Sequence, residues 1–194
     1  MGHELLSFMD TFSGYNQIRM DEVDQEKTSF ITSYGLFCYE VMPFSLKNAG
    51  ATYQRLVNHM FCPQIGQNVE VYVDDMLVKS LDKERHLDDI QVTFDTLKQY
   101  NMKLNSSNCA FGVLSSKFLG FMVSHRGIEA NPDKIQAILN MEPPRNIKEV
   151  QSFTEQVAAF NRFVSKATNK CLPFFKVLKK AFEWTDECQK VPRP

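Results

Sequence analysis

Two adjacent aspartates in a Val-rich run are the residues of this chain best suited to chemistry: Val69-Glu70-Val71-Tyr72-Val73-Asp74-Asp75-Met76-Leu77-Val78. β-Branched and aromatic residues on both sides predict two short strands, and Asp74-Asp75 has the composition of the tight turn between them. Two carboxylates so close repel each other unless a cation neutralises them. The simpler reading is a good turn dipeptide, and Asp88-Asp89, on what reads as a solvated helix face, shows that the pair alone proves nothing. The second strand-like run, Leu5-Leu6-Ser7-Phe8-Met9-Asp10, changes the balance. Leu6, Phe8 and Asp10 share one face by the period-two rule. If that strand lies beside the hairpin, Asp10 and Asp74 converge. Carboxylates bridging two Mg²⁺ ions about 4 Å apart serve phosphoryl and nucleotidyl transfer by in-line displacement.

The elements that must position these groups are legible around them. Residues 28–32 and 37–42 read as strands of a hairpin turning at Ser33-Tyr34-Gly35. Leu46 to Phe61 reads as a helix, with Ala49, Tyr53, Leu56, Val57 and Met60 at helical spacing. Asp82 to Tyr100 is the strongest helix pattern, its apolar stripe Leu87, Ile90, Phe94 and Leu97, and it should back the sheet. Residues 103–104, 109–114 and 117–124 read as strands, the last two joined through Ser115-Ser116. Asn131-Pro132-Asp133 gives an N-cap, a first-turn proline and a first-turn acid for a helix that Pro143-Pro144 ends. Asn146-Ile147-Lys148-Glu149 is a capping-box-like start for a helix carrying Val150, Phe153, Val157 and Phe160, and a further helix is expected over 174–182.

Three ordered segments carry a resemblance to a known family. Tyr72-Val73-Asp74-Asp75 resembles the YXDD box of reverse transcriptases, and Phe8-Met9-Asp10-Thr11-Phe12-Ser13-Gly14-Tyr15 resembles their first catalytic motif. Val41-Met42-Pro43-Phe44-Ser45-Leu46-Lys47-Asn48-Ala49-Gly50-Ala51-Thr52-Tyr53-Gln54-Arg55 is similar to the MPFGLKNA segment of gypsy-type LTR retrotransposons, plant elements among them. The similarity continues through Phe118-Leu119-Gly120-Phe121 and Glu183-Trp184-Thr185.

The resemblance implies an α+β polymerase palm, an antiparallel sheet backed by helices, with a residual fingers hairpin and a helical thumb. It places palm and partial fingers in residues 1–125, thumb-like helices in 126–182 and a lead-in to a connection and RNase H region in 183–194. It implies that Asp10, Asp74 and Asp75 are catalytic and hold two Mg²⁺, with Mn²⁺ a possible substitute. Tyr15 is then a steric gate against the ribose 2′-hydroxyl, Phe44 and Gln54 lie at the nucleotide, and Phe118, Leu119, Gly120 and Phe121 form the primer grip. The implied partners are an RNA or DNA template with its primer and deoxynucleoside triphosphates. An active element would carry the protein in a cytoplasmic virus-like particle.

Several positions depart from the family pattern. Ser45 replaces the usual glycine, and a Cβ costs freedom wherever the backbone needs positive φ. Asn108 stands where a lysine is thought to protonate the leaving pyrophosphate, a contribution of roughly 10² to 10⁴ in rate. Glu155-Gln156 stands where related sequences have Gly-Arg. With the basic fingers segment expected mostly upstream of Met1, these departures predict a weak or inactive isolated chain. The alternative from another class is a decayed remnant that at most binds nucleic acid or metal. A palm-like nucleotide cyclase would leave the template and primer motifs unexplained.

Composition bounds the rest. With 43% hydrophobic and 23% charged residues in 194, the chain has an ordinary globular composition. Five scattered cysteines without CxxC spacing indicate neither a disulfide framework nor a zinc site. There is no leader pattern and no apolar run of about 18 residues, so no membrane role is expected. Net charge is −1, with the acidic excess in residues 1–130 and the basic excess in residues 131–194. That asymmetry suits a metal-loaded catalytic half joined to a half that holds phosphate backbones, and on charge alone it suits an ordinary solvated helical surface equally well. The oligomeric state is left open.

Overall fold

The structure, a computed structural model, describes residues 2–163 and residue 172. The helix expected over 174–182 and the segment Glu183-Trp184-Thr185 lie outside the described residues. The chain forms two compact units, one of Met1–Leu119 with Val123–Gly127, the other of Gly120–Met122 with Ile128–Pro194.

In the first unit the elements run β1 (Leu5–Asp10), α1 (Glu22–Gln25), β2 (Phe30–Thr32), β3 (Gly35–Phe37), α2 (Ala49–Met60), β4 (Val69–Tyr72), β5 (Asp75–Ser80), α3 (Lys83–Gln99) and β6 (Ala110–Val113). Four of these strands make an antiparallel sheet in the order β4-β5-β1-β6. An apolar residue points to each face at alternate positions, so the sheet is buried on both sides. Met9, Met76 and Val78 pack with Tyr53, Val57, Phe61, Ile90 and Leu97 of the helix side. Leu6, Phe8 and Leu77 form a second cluster on the opposite face. This is the α+β sheet backed by helices that the sequence predicts.

Three local expectations are corrected. The β2–β3 hairpin turns at Ser33-Tyr34, and its second strand is Gly35–Phe37, not residues 37–42. Gly35 at φ 129 explains the difference, because it takes the backbone into the pairing where another residue would be strained. Ser115-Ser116 is not a joint but the start of β7 (Ser115–Phe118). The stripe of α3 that is buried is His86, Ile90, Thr93 and Leu97, whereas Leu87 is 75% exposed and Phe94 37%. Polar partners decide that rotation. The His86 ring is hydrogen-bonded to the hydroxyls of Ser7 and Ser80, each at 2.8 Å, so it can be buried at 2% exposure. Burial lowers its pKa, against the pull of Asp89.

β7, β8 (Phe121–Ser124) and β9 (Gly127–Glu129) form a small sheet in that order; β9 was not predicted from the sequence. In the second unit, α4 (Pro132–Leu139) starts as expected, with Asn131 Oδ1 accepting from the Asp133 amide. For α5 (Ile147–Ala158), Asn146 Oδ1 accepts from the Glu149 amide while Glu149 Oε1 accepts from Asn146 Nδ2. Glu149 Oε2 also accepts from the Arg145 amide at 2.7 Å, so the capping-box-like start read from the sequence forms as a variant in which the Glu149 side chain reaches the Asn146 side chain and the preceding amide rather than the Asn146 amide. Ile138, Val150, Phe153, Val157 and Phe160 make this unit's core, and Glu155 and Gln156 are exposed. Among the described residues no helix is long and apolar enough to cross a membrane.

Candidate active site

The turn that carries the paired acids is one residue earlier than composition suggests. Tyr72 pairs with Asp75, so the two loop residues are Val73 and Asp74, and Asp75 already belongs to β5. Val73 has φ 51. A β-branched residue in the left-handed region is a strained choice, costing roughly 1–3 kcal/mol, and such strain persists only where the surroundings over-determine it. Gln54 of α2 supplies that constraint. Its Oε1 accepts from the Val73 amide at 2.8 Å and its Nε2 donates to the Val71 carbonyl at 3.3 Å. Gln54, predicted at the nucleotide, divides its amide between the hairpin backbone and Asn58, whose Oδ1 accepts from Gln54 Nε2 at 2.9 Å.

β1 pairs with β5 so that Asp10 stands directly opposite Asp75. The cross-strand partner of Asp10 is thus Asp75, not Asp74. Asp74 reaches the same strand end from the turn: its carbonyl accepts from the Thr11 amide at 3.2 Å and its Oδ1 from Thr11 Oγ1 at 2.7 Å. Like charges directly opposed across a ladder are destabilising. Asp75 shows the consequence, its carboxyl raised above the ordinary range first by burial and then by the charges of Asp10 and Asp74. Among the described residues none of the three carboxylates has a salt bridge. Three hard oxygen donors with uncompensated charge are what a divalent cation relieves. As placed, no three such side chains among the described residues gather into a ligand set. The Asp74 carboxylate faces Thr11, and Asp10 Oδ2 accepts from Asn108 Nδ2 at 2.8 Å. The donor chemistry fits such an ion, and the side chains would have to turn toward it.

Asn108, singled out as a departure, therefore lies at this site. It closes a short 3₁₀ turn, Ser106–Asn108, anchored where the Asn105 amide donates to the Asp10 carbonyl at 2.9 Å. Tyr15 is half-buried, with its ring 5.3 Å from Phe44 and 5.5 Å from Tyr53. Phe44 itself is 60% exposed. Ser45 follows with φ 81, so the backbone there does take the conformation that glycine tolerates best.

In the predicted primer grip, Phe118 ends β7 and packs on Phe8 with ring centroids 6.0 Å apart. Leu119 and Gly120, with φ 50 and 80, form a two-residue turn, and Phe121 opens β8. Two positive φ values are the I′ pattern that suits a tight hairpin. A Cβ on Gly120 would overlap the Lys134 ammonium, and Arg162 lies over the Phe121 ring at 5.7 Å.

Sequence reasoning missed Thr11, Gly14 and Tyr53 as parts of the site. Tyr53 is fully buried and donates to Thr11 Oγ1 at 2.9 Å. Its phenol is pushed up by burial, so it remains a donor. Its helical spacing announces only a core position. The hydroxyl on an otherwise apolar stripe is the one available signal.

Comparison with known proteins identifies the family and the fold. Residues 1–123 match the family described as Reverse transcriptase (RNA-dependent DNA polymerase). A retrovirus-related Pol polyprotein from transposon 297 of Drosophila melanogaster is 36% identical over 172 residues, which are 89% of this chain and 16% of that protein. The Tf2-3 transposon polyprotein of Schizosaccharomyces pombe is 28% identical over 94% of this chain and 14% of its own length. The chain thus spans about one sixth of the relatives it matches. Among solved structures, a foamy viral protease-reverse transcriptase in complex with double-stranded DNA superposes with a TM-score of 0.91 at 21% identity, covering 98% of this chain and 34% of that one. A foamy viral protease-reverse transcriptase in complex with an RNA/DNA hybrid gives 0.87 at 21% identity, with 98% and 26% covered. At that identity the likeness concerns the fold.

Proposed function

The chain belongs to the reverse transcriptase family, of the kind found in LTR-retrotransposon Pol polyproteins, and on that premise we propose that it carries the nucleotidyl-transfer centre of an RNA-directed DNA polymerase. The observation that carries the proposal is the registration of Asp75 against Asp10, with Asp74 delivered to the same strand end by a strained two-residue turn. Asp10, Asp74 and Asp75 would hold two Mg²⁺, or Mn²⁺ in their place. Bound there, the ions supply activation of the primer 3′-hydroxyl and neutralisation of the triphosphate.

The chain's own residues do the positioning. Gln54 fixes the turn, and the Tyr15 ring, braced by Phe44 and Tyr53, gives the nucleotide sugar a wall that a 2′-hydroxyl would meet. The Leu119-Gly120 turn presents backbone to a primer end, and template, primer and deoxynucleoside triphosphates are the partners. Asn108 beside Asp10 supplies no proton to a leaving pyrophosphate, so synthesis by this chain should be slow. The same contact, with Ser45 in a left-handed conformation, favours the second reading, a non-catalytic remnant that binds nucleic acid or metal.

Single-nucleotide extension of a primer on an RNA template, with Mg²⁺ and protein in excess, separates the two. Slow incorporation of the templated nucleotide supports the polymerase. Retention of primer–template with no incorporation at any Mg²⁺ or Mn²⁺ concentration supports the remnant.

A further inference from the structure

We propose that Tyr53, Thr11 and Gly14 are positioning residues for Asp74, the first two forming a one-way hydroxyl relay that fixes which carboxylate oxygen faces a cation and Gly14 leaving the relay its space. The proposal rests on the reading above that Asp74 is a metal ligand. Tyr53 donates to Thr11 Oγ1 at 2.9 Å, and Thr11 Oγ1 donates to Asp74 Oδ1 at 2.7 Å. The direction is set by chemistry. An ionised carboxylate can only accept, so the single Thr11 proton goes to Asp74, and the Thr11 lone pair is left to take the proton of Tyr53. Both hydroxyl-bearing residues are sealed from water, Tyr53 at 0% and Thr11 at 4% exposure. Hydrogen bonds in such surroundings polarise one another along the chain. Thr11 is also stiff at χ1, and its amide donates to the Asp74 carbonyl, so its hydroxyl is held in register with the turn.

Gly14 shows independently that the three groups converge. A Cβ built there would overlap Asp74 Oδ1, Thr11 Oγ1 and the Tyr53 hydroxyl together. Gly14 is buried, but its φ is not in the left-handed region, so backbone freedom is not what the position requires. What it requires is space for three oxygens. The relay commits Oδ1 and leaves Oδ2, for which no hydrogen bond is formed among the described residues, as the oxygen that meets the ion.

The test is Mn²⁺ binding to the 194-residue chain, followed by loss of the free-ion electron paramagnetic resonance signal, with thermal unfolding as the check on folding. Partners that orient a metal ligand are typically worth about 10- to 100-fold in affinity. Tyr53→Phe, which keeps the packing and deletes the hydroxyl, should weaken Mn²⁺ binding about tenfold, as should Thr11→Val. Thr11→Ser, which keeps the donor, should stay within about threefold of the wild type, and Gly14→Ala should weaken binding by displacing the carboxylate. If Asp74→Asn weakens Mn²⁺ binding while Tyr53→Phe and Thr11→Val do not, the relay is refuted and the polymerase reading survives. If Asp74→Asn leaves Mn²⁺ binding unchanged, the metal-site reading fails and the relay falls with it. Should Tyr53→Phe not fold, the contrast between Thr11→Val and Thr11→Ser decides by the same criterion.

Discussion

Replacing Asp75 by Asn should make the chain more stable when no divalent cation is present. Asp75 stands directly across from Asp10 in the β1–β5 ladder. Directly opposed residues have Cβ atoms about 5 Å apart. Two unit charges at about 5 Å repel by roughly 3 kcal/mol at an effective dielectric of about 20, and by under about 1 kcal/mol in bulk water. Both residues are only partly buried, so solvent screening brings the expected gain for Asp75→Asn to about 1 kcal/mol. For a chain of this size that is a rise of about 2–4 °C in Tm. The pH dependence follows from the raised Asp75 pKa, whose causes are burial first and then the charges of Asp10 and Asp74. The native state holds this proton more tightly than the unfolded chain does. The associated stability is full below the unfolded value of about 3.9 and is lost as pH rises through the folded value. The advantage of the Asn form should therefore be full near about pH 7 and fade toward about pH 4. Thermal unfolding in a chelator across that range measures it, and adding MgCl₂ should raise the wild type more than the variant. An Asn form less stable than the wild type at neutral pH, or a gain indifferent to pH, would refute the argument from opposed charges.

Other perturbations probe the same strand ends. Asn108→Lys sets an ammonium against Asp10 Oδ2; it should stabilise the metal-free chain by roughly 0.2–1 kcal/mol, raise the half-saturating Mg²⁺ for extension and raise the single-turnover rate at saturation. No change in either kinetic quantity would show that position 108 touches neither Asp10 nor the leaving group. Val73→Gly relieves a β-branched residue at φ 51 and should raise stability by about 1 kcal/mol in denaturant unfolding; a loss instead would mean that the turn is not strained. Tyr15→Val should increase ribonucleotide use relative to deoxynucleotide use in extension assays. A fixed ratio would leave Tyr15 as a core residue packed between Phe44 and Tyr53.

Much of this arrangement was readable from residue order, for reasons that also mark the limits. Period-two alternation put Leu6, Phe8 and Asp10 on one face, and the ladder holds them so. The caps at Asn131 and Asn146 are local chemistry, and both form as written. What failed was non-local. Asp74-Asp75 looks like the turn because aspartate favours turns, yet the register belongs to the pairing of Tyr72 with Asp75, held by Gln54 from another element. The stripe of α3 was misread by one residue because periodicity ranks Leu87 above His86, and only Ser7 and Ser80 make the histidine the better buried group. Asn108 could be identified as a departure from the family, but that its amide reaches Asp10 depends on chain segments 98 residues apart.

Single-turnover primer extension on an RNA template, run side by side with the wild type, Asp10→Asn and Asp74→Asn, tests the assignment of the polymerase centre most directly. The expected result is slow, templated, Mg²⁺-dependent incorporation by the wild type that falls to background in both variants. Incorporation at the wild-type rate in either variant would contradict it.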